Sequence, residues 1–305
     1  MNNKQKISFD NINASSLFHF TKEKETLKSI LRNGLRYSYS FESIPAQITA
    51  NVTNPTNPNI VEKNYKNNKV GVAIPMISFC DIPITRASTH MRRYGKYMIG
   101  LDKKLLTEWY KSTINPVLYI HSNNLNDAFV DLSKVYADTY SNEIKQIFSL
   151  AQQGKTLESP ELKDIVKTAC LRKFFILFIY GLIKPIYNQH TGQCYYDERE
   201  WRAFHPDNTT DTYWKWEITK EDYDENQDEW NKELEKSTEN YIILEEDLLR
   251  DAITHIVVSK ESEIPNFIKF IMETPNFFGS PMVSIETRLY LISKITSMER
   301  IALDY

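Results

Sequence analysis

Two carboxylates separated by one residue, in "YYDEREWRAF" (residues 195–204), form the densest concentration of chemistry in the chain. In an extended strand alternate side chains share a face, which puts Glu198, Glu200 and Arg202 on one side and Arg199, Trp201 and Ala203 on the other. Such a pair can keep one carboxyl protonated beside an ionised one, or clamp a ribose diol and steady a developing positive charge. An exposed strand face with cross-strand charge pairs accounts for the motif equally well.

His19 is the next candidate, in "SSLFHFTKEKETLKSILRNGL" (residues 15–35). If Leu17–Thr21 is extended, His19 and Thr21 share a face. A lone histidine on an apolar strand is commonly satisfied by a backbone carbonyl in the core, although the hydroxyl beside it favours polar readout. The third candidate is "PITRASTHMRRYG" (residues 83–95), where Arg86, His90 and Arg93 fall on one helix face at i, i+4 and i+7. That face suits phosphates, or is simply solvated. Ser78, Cys80 and Asp81 sit at the strand end feeding this helix, a usual place for ligand contacts. His190, Cys194 and His205 have no recognised metal-ligand spacing, and nothing in the sequence sets a histidine beside Cys80 or Cys194.

The elements that must position these residues are readable in part. Ser16–Thr21 reads as a short strand. Lys22–Asn33 has helical spacing, with Leu27, Ile30 and Leu31 on one face and Gly34 as a left-handed stop. Residues 42–69 are rich in Asn and Pro and predict a long surface loop. A strand ending at Cys80 precedes a helix from Pro83 to Gly95, and "KYMIGLDKKLL" and "NPVLYIHS" supply further strands. From about 124 to 187 the pattern is helical, with two helices separated by a Gln-Gln-Gly-Lys turn. The apolar run "FFILFIYGLI" (174–183) reads as buried helix, too short for the roughly 20 residues of a membrane span. The motif strand 194–204 and the acidic stretch 217–239, a solvated helix or loop, follow. Strand, helix, strand, helix complete the reading to about residue 272. The sum is an α+β fold in a single domain, 1–305, with a helical insertion at about 124–187 and an acidic insertion at about 206–240. The eight glycines form neither G-x-G-x-x-G nor a Walker loop, so any nucleotide is held another way.

Composition narrows the function classes. With 41% hydrophobic and 25% charged residues the chain is an ordinary folded globular protein. A formal net charge of -3 leaves no global positive field for nucleic acid or anionic membranes, so such contacts need a local patch. Three cysteines, Cys80, Cys170 and Cys194, at unrelated spacings imply free thiols in a reducing compartment. The stretch "MNNKQKISFDNIN" carries no apolar secretory segment. The expectation is a cytoplasmic protein.

In this order, "LFHFT...L..IL..GL", "ISFCDIPIT...H...YGKYMIGLDK", "PVLYI" and "EREWRAF" resemble the AbiGi family of abortive phage-resistance proteins, over about residues 16–270. The resemblance implies phage defence within a two-gene abortive-infection system, on the antitoxin side. The opening motif is also similar to the first strand of ADP-ribosyltransferases of the poly-ADP-ribose polymerase and DarT type. That likeness implies an ADP-ribosyltransferase-like split β-sheet and NAD as co-substrate, with no metal. It makes Glu200, with Glu198 and His19, the catalytic set. His19 and Thr21 would hold the adenosine-side ribose and nicotinamide amide, Tyr94 or Tyr97 would stack on the nicotinamide, and Ser78, Arg86 and His90 would complete the binding set. ADP-ribose would pass to nucleic acid or protein. Two other classes stay open. One is a noncatalytic antitoxin or regulatory protein that binds a partner or nucleic acid through Arg86, His90 and Arg93; the other, a metal-dependent nuclease, lacks a third ligand beside the two carboxylates.

Overall fold

A computed structural model describes residues 14–43, 70–109, 114–121, 123–156, 158–187, 192–205, 214–281 and 283–304. The expected surface loop, beyond its first two residues, lies outside the described residues, as do His190 and residues 206–213 of the acidic insertion.

The chain opens with β1 (Ser16–Thr21), α1 (Lys24–Asn33), β2 (Leu35–Arg36), β3 (Ser38–Ser43) and the long β4 (Val70–Cys80). A 3-10 turn, Ile84–Arg86, leads into α2 (Ala87–Tyr94), then β5 (Tyr97–Asp102), α3 (Lys103–Trp109), β6 (Ile114–Pro116) and β7 (Leu118–Ile120). The helical insertion is a hairpin of α4 (Asn123–Gln152) and α5 (Pro160–Leu182), leaving through β8 (Ile183–Pro185). After a 3-10 turn at Tyr196–Glu198 come β9 (Glu200–Phe204), β10 (Lys215–Thr219), α6 (Lys220–Leu234), β11 (Tyr241–Ile242), α7 (Glu246–Ala252) and β12 (Ile253–Val258). The last elements are α8 (Ile264–Glu273), β13 (Asn276–Phe277), β14 (Ser280–Pro281), α9 (Ile285–Ile292), β15 (Ile295–Ser297) and α10 (Met298–Asp304). No described helix is long and apolar enough to cross a membrane.

The architecture is α+β. Among the described residues nine strands form the main sheet in the order β15-β12-β5-β1-β4-β9-β6, with β3 and β10 also pairing along β4. The first described strand is therefore central. Its alternation sends Leu17 to one face, against Leu27, Ile30 and Leu31 of α1, and Phe18 to the other, against Ala87, Met98, Met298 and Ile301. Helices thus cover both faces of the sheet around β1.

Two features of this sheet shape the site. Along β5, β1 pairs over its whole length, from Ser16↔Asp102 to Thr21↔Tyr97, but along β4 it pairs at Phe18↔Cys80 alone. The two strands then separate. The motif strand, moreover, starts only at Glu200: Glu198 lies in the 3-10 turn, and Arg199 takes a left-handed φ of 41° between them. The simple alternation expected for Glu198, Glu200 and Arg202 therefore holds only from Glu200 onward. Gly34 ends α1 as expected, though with φ 94° and ψ -180°, an extended glycine-only conformation rather than the left-handed cap.

Candidate functional site

Where β1 and β4 part, a cavity of about 160 Å³ opens, lined by Phe18, His19 and Phe20 of β1, Ser78 and Cys80 of β4, Tyr94 of α2, Lys184 of β8, and Glu198 and Glu200. Residues from both sides of β1 reach it, as a gap between strands requires. His19 spans the gap. Its Nδ1 lies 2.9 Å from the Ser78 carbonyl oxygen, which can only accept, so Nδ1 carries the proton and Nε2 is left as an acceptor. Burial pushes the His19 pKa down against the opposing effect of that bond, and the ring is neutral near pH 7.

The floor is a charge network. Glu200 is 7% exposed; its Oε1 accepts from Ser78 Oγ at 2.9 Å and from Arg202 Nε at 2.8 Å, and Lys184 Nζ stands 2.6 Å from Oε2. Burial alone would raise the Glu200 pKa. The Arg202 and Lys184 cations outweigh it and hold the carboxyl at about 2, so it is ionised at neutral pH. Lys184 is raised in return, Glu200 overcoming its desolvation. Tyr119 Oη accepts from the Glu200 backbone N–H at 2.9 Å and fixes the start of β9. Arg202, 2% exposed, also reaches Glu42 of β3 at 3.1 Å and donates to the Gly181 carbonyl at the end of α5. One guanidinium thus joins β3, β9 and the helical hairpin.

Glu198 is 2% exposed and differently held. Its Oε1 accepts from Tyr94 Oη at 2.5 Å and Gln193 Nε2 at 2.8 Å, and lies 3.7 Å from Arg93; Oε2 has Lys184 at 3.3 Å. Of the four carboxylate oxygens, Oε2 of Glu198 carries the lightest load among the described residues. Burial, and then the bond to Glu198, push the Tyr94 hydroxyl far up, and burial does the same to the Cys80 thiol. Cys80 is therefore a protonated thiol and no nucleophile. Among the described residues no group of three or more His, Cys, Asp or Glu is placed to hold a metal ion.

Of the expected site residues, His19, Ser78, Tyr94, Glu198 and Glu200 meet at this cavity, and Thr21, Arg86, His90 and Tyr97 do not line it. Thr21 is a buried rung pairing with Tyr97, whose hydroxyl donates to Glu263 at 2.8 Å on another side of the molecule. The cationic face expected of Arg86, His90 and Arg93 is absent. Arg86 closes a 3-10 turn, whose 3.0 residues per turn break the helical spacing, and His90 turns inward between Phe20 and Tyr94 at ring distances of 6.0 and 6.2 Å. Lys184, Arg202, Tyr119 and Glu42 are the additions that sequence reasoning passed over as site members. Only Arg202 left a trace, on the strand face it shares with Glu200.

Both His90 ring nitrogens are buried without a hydrogen-bond partner among the described residues. Burial, and to a lesser extent Arg93, depress its pKa against the pull of Glu198 and Asp197. A folded-state pKa below the unfolded one means that, as pH falls past about 6.5, the unfolded chain takes up the proton first, so the stability present above that pH is lost below it. His90→Phe keeps the ring packing and removes the orphaned nitrogens, and is expected to raise stability by about 1–2 kcal/mol at pH 7. Urea midpoints at pH 7.5 and 5.5 check both points. The variant's midpoint should be higher and its fall on acidification smaller, though not nil, since His19 and His255 are depressed by burial too.

A family model described as "Putative abortive phage resistance protein AbiGi, antitoxin" matches residues 53–243, well over half of the chain. The chain belongs to the AbiGi family. The AbiGi match is narrower than the span of about 16–270 expected from the motifs; it takes in Ser78, Tyr94, Lys184, Glu198, Glu200 and Arg202 and leaves out His19. AbiGi membership puts the protein in abortive-infection phage defence. The antitoxin designation implies a partner in a two-gene system. No curated protein and no solved structure matches the chain, so the likeness of this AbiGi protein to ADP-ribosyltransferases rests on its motifs alone.

Proposed function

We propose that this AbiGi protein serves phage defence by taking the nicotinamide end of NAD into the cavity and passing its ADP-ribosyl group to a protein or nucleic-acid acceptor. The reading is carried by one observation: His19, Ser78, Tyr94, Glu198 and Glu200, from four separate stretches of sequence, converge on a single small space. A cavity of about 150 Å³ is known to hold one benzene ring. This one, of about 160 Å³, fits one aromatic ring and not a dinucleotide, so the nicotinamide enters and the rest lies outside. NAD supplies the group that moves; the bond between its ribose and the nicotinamide nitrogen breaks, and the electron pair leaves on the ring.

The protein's own residues orient and stabilise. His19 Nε2 accepts from the carboxamide, and the Tyr94 ring packs against the nicotinamide. Glu198 Oε2, with room for another donor, accepts from a ribose hydroxyl. Glu200 stays ionised and supplies negative potential to the positive charge that develops on the ribose. Labelled NAD incubated with separate host protein, RNA and DNA fractions tests this directly. Transfer by the wild type, and a drop of about 10²- to 10³-fold or more in the Glu198→Gln/Glu200→Gln variant, is the expected result. Thermal melting confirms that the variant is folded, and Glu198→Gln alone is the milder control.

The second reading is a noncatalytic antitoxin that works by binding its partner. The observation favouring it is that Lys184 and Arg202 already occupy both Glu200 oxygens. It predicts no NAD binding by calorimetry, and partner neutralisation that the double Gln variant leaves intact. Undiminished label transfer by that variant would remove the first reading.

A further inference from the structure

The last turn of α2 borders two different spaces. Tyr94 lines the ring-sized cavity, whereas Met91, Arg92, Arg93 and Gly95 wall a second groove of about 580 Å³, closed on its other sides by the β1–α1 connection, the start of β5 and the segment after β12. Five cations line it: Lys22, Arg92, Arg93, Lys96 and Lys260. Its two carboxylates are Glu23 and Glu263, and Glu263 already accepts from Tyr97 Oη at 2.8 Å and from the Lys260 backbone N–H at 3.0 Å. Lys22, Arg92, Lys96 and Lys260 enter no ion pair among the described residues, and Arg93 reaches only Glu198, at 3.7 Å. In a chain of net charge -3, this is a concentrated local excess of positive charge.

The kind of anion follows from how these cations are held. A site for a small phosphate ester encloses its ligand with a few buried, convergent donors. Here all five cations are solvent-exposed on long side chains and spread over three separate stretches of chain, an arrangement that follows a run of phosphates. An aromatic ring stands among them: Tyr97 lines the groove, fixed by its bond to Glu263. A positive groove with an aromatic face is the arrangement that holds unpaired bases.

We propose that this groove binds the backbone of a single-stranded nucleic acid, irrespective of base sequence. The site is separate from the cavity and its occupation requires neither NAD nor group transfer. Fluorescence anisotropy of the full chain with labelled 12-nucleotide oligo-U and oligo-dT tests it. With three to five phosphates neutralised, log K should fall against log salt with a slope of about -2 to -3.5, which weakens binding by about 15- to 130-fold between 50 and 200 mM. Arg92→Glu/Lys96→Glu/Lys260→Glu should lose at least about tenfold in affinity and about 2 units of that slope. The neutral variant Arg92→Gln/Lys96→Gln/Lys260→Gln should lose less. Lys104→Glu/Lys155→Glu/Lys269→Glu has the same net charge with the changes placed elsewhere and should bind nearly as the wild type does; unchanged thermal melts establish that all three variants are folded. No binding by wild type at 50 mM salt would overturn the proposal, as would equal losses in both charge-reversed variants. Inorganic phosphate or ATP competing as tightly as the 12-mer would turn the groove into a small-anion site, and equal affinity for a duplex would remove the preference for single strands.

Discussion

Arg202→Met lowers the unfolding free energy by about 3–5 kcal/mol at pH 7, the usual cost of leaving a buried charge without its partner. The guanidinium is fully sequestered and serves three groups at once: Glu200, Glu42 and the Gly181 carbonyl. Methionine fills the same space. It leaves Glu42 and a helix-end carbonyl without their cation and Glu200 with Lys184 alone, where the negative end of the α5 dipole also favours a cation. Glu42 is already raised by burial even with Arg202 present. Urea unfolding checks the size of the effect, and a loss under 1 kcal/mol would show that water reaches the network. Glu200→Gln in the Arg202→Met background should recover part of the loss, because it removes one of the two buried carboxylates that Lys184 must then serve by itself. The pH profile gives a second check. Glu200 in the wild type sits at about 2 against the usual 4.5, so its contribution is present above about pH 4.5 and disappears as pH falls towards 2. The gap between variant and wild type should narrow over that same interval.

Gly95→Ala is expected to cost about 3 kcal/mol or more, from backbone strain and overpacking together. Gly95 ends α2 with φ 123° and ψ 167°, a region that side chains do not tolerate. A Cβ there would stand 2.1 Å from the Thr21 carbonyl oxygen and 2.3 Å from its carbon, both backbone atoms that cannot swing aside. Either β1 or the end of α2 must then move, and these carry His19 and Tyr94, which both line the cavity. Gly154, between α4 and α5, provides the contrast: its φ is also positive, at 80°, but an added Cβ meets nothing within 4 Å. Gly154→Ala should cost only about 1–2 kcal/mol. Equal effects at the two positions, measured by thermal or urea unfolding, would show that contact with Thr21 is unimportant.

What the sequence discloses here is local, and what it conceals is long-range. β1 is read correctly from Ser16 to Thr21 because apolar alternation and the following helix signal are both contained in twenty residues. The α4–α5 hairpin is likewise legible from its own periodicity and its Gly turn. The pairing of Glu198 with Glu200 as neighbours is readable, but not the left-handed Arg199 that puts one in a turn and the other in a strand. His90 misleads for a geometric reason. A helical wheel groups Arg86, His90 and Arg93, but it knows neither that Arg86 belongs to a tighter turn nor which side of α2 meets Phe20. Arg202 shares the face of Glu200 by strand alternation, but Lys184 is an ordinary cation until the fold brings it there, and no pattern in the residues around it anticipates Glu198, 14 positions away.

The central position of β1 has a consequence in time. The strand leaves the ribosome before every strand it pairs with, and its full-length partner, β5, ends about 80 residues later. At roughly 5–20 residues per second that is an interval of about 4–16 s. Until β4 is made Leu17 and Phe18 have no sheet to join, and until β5 is made β1 has only the single pairing of Phe18 with Cys80. The wall made by Glu198 and Glu200 arrives later still, about 100 residues after the end of β5. No nascent fragment that stops short of residue 200 contains the cavity, however well its first elements have folded.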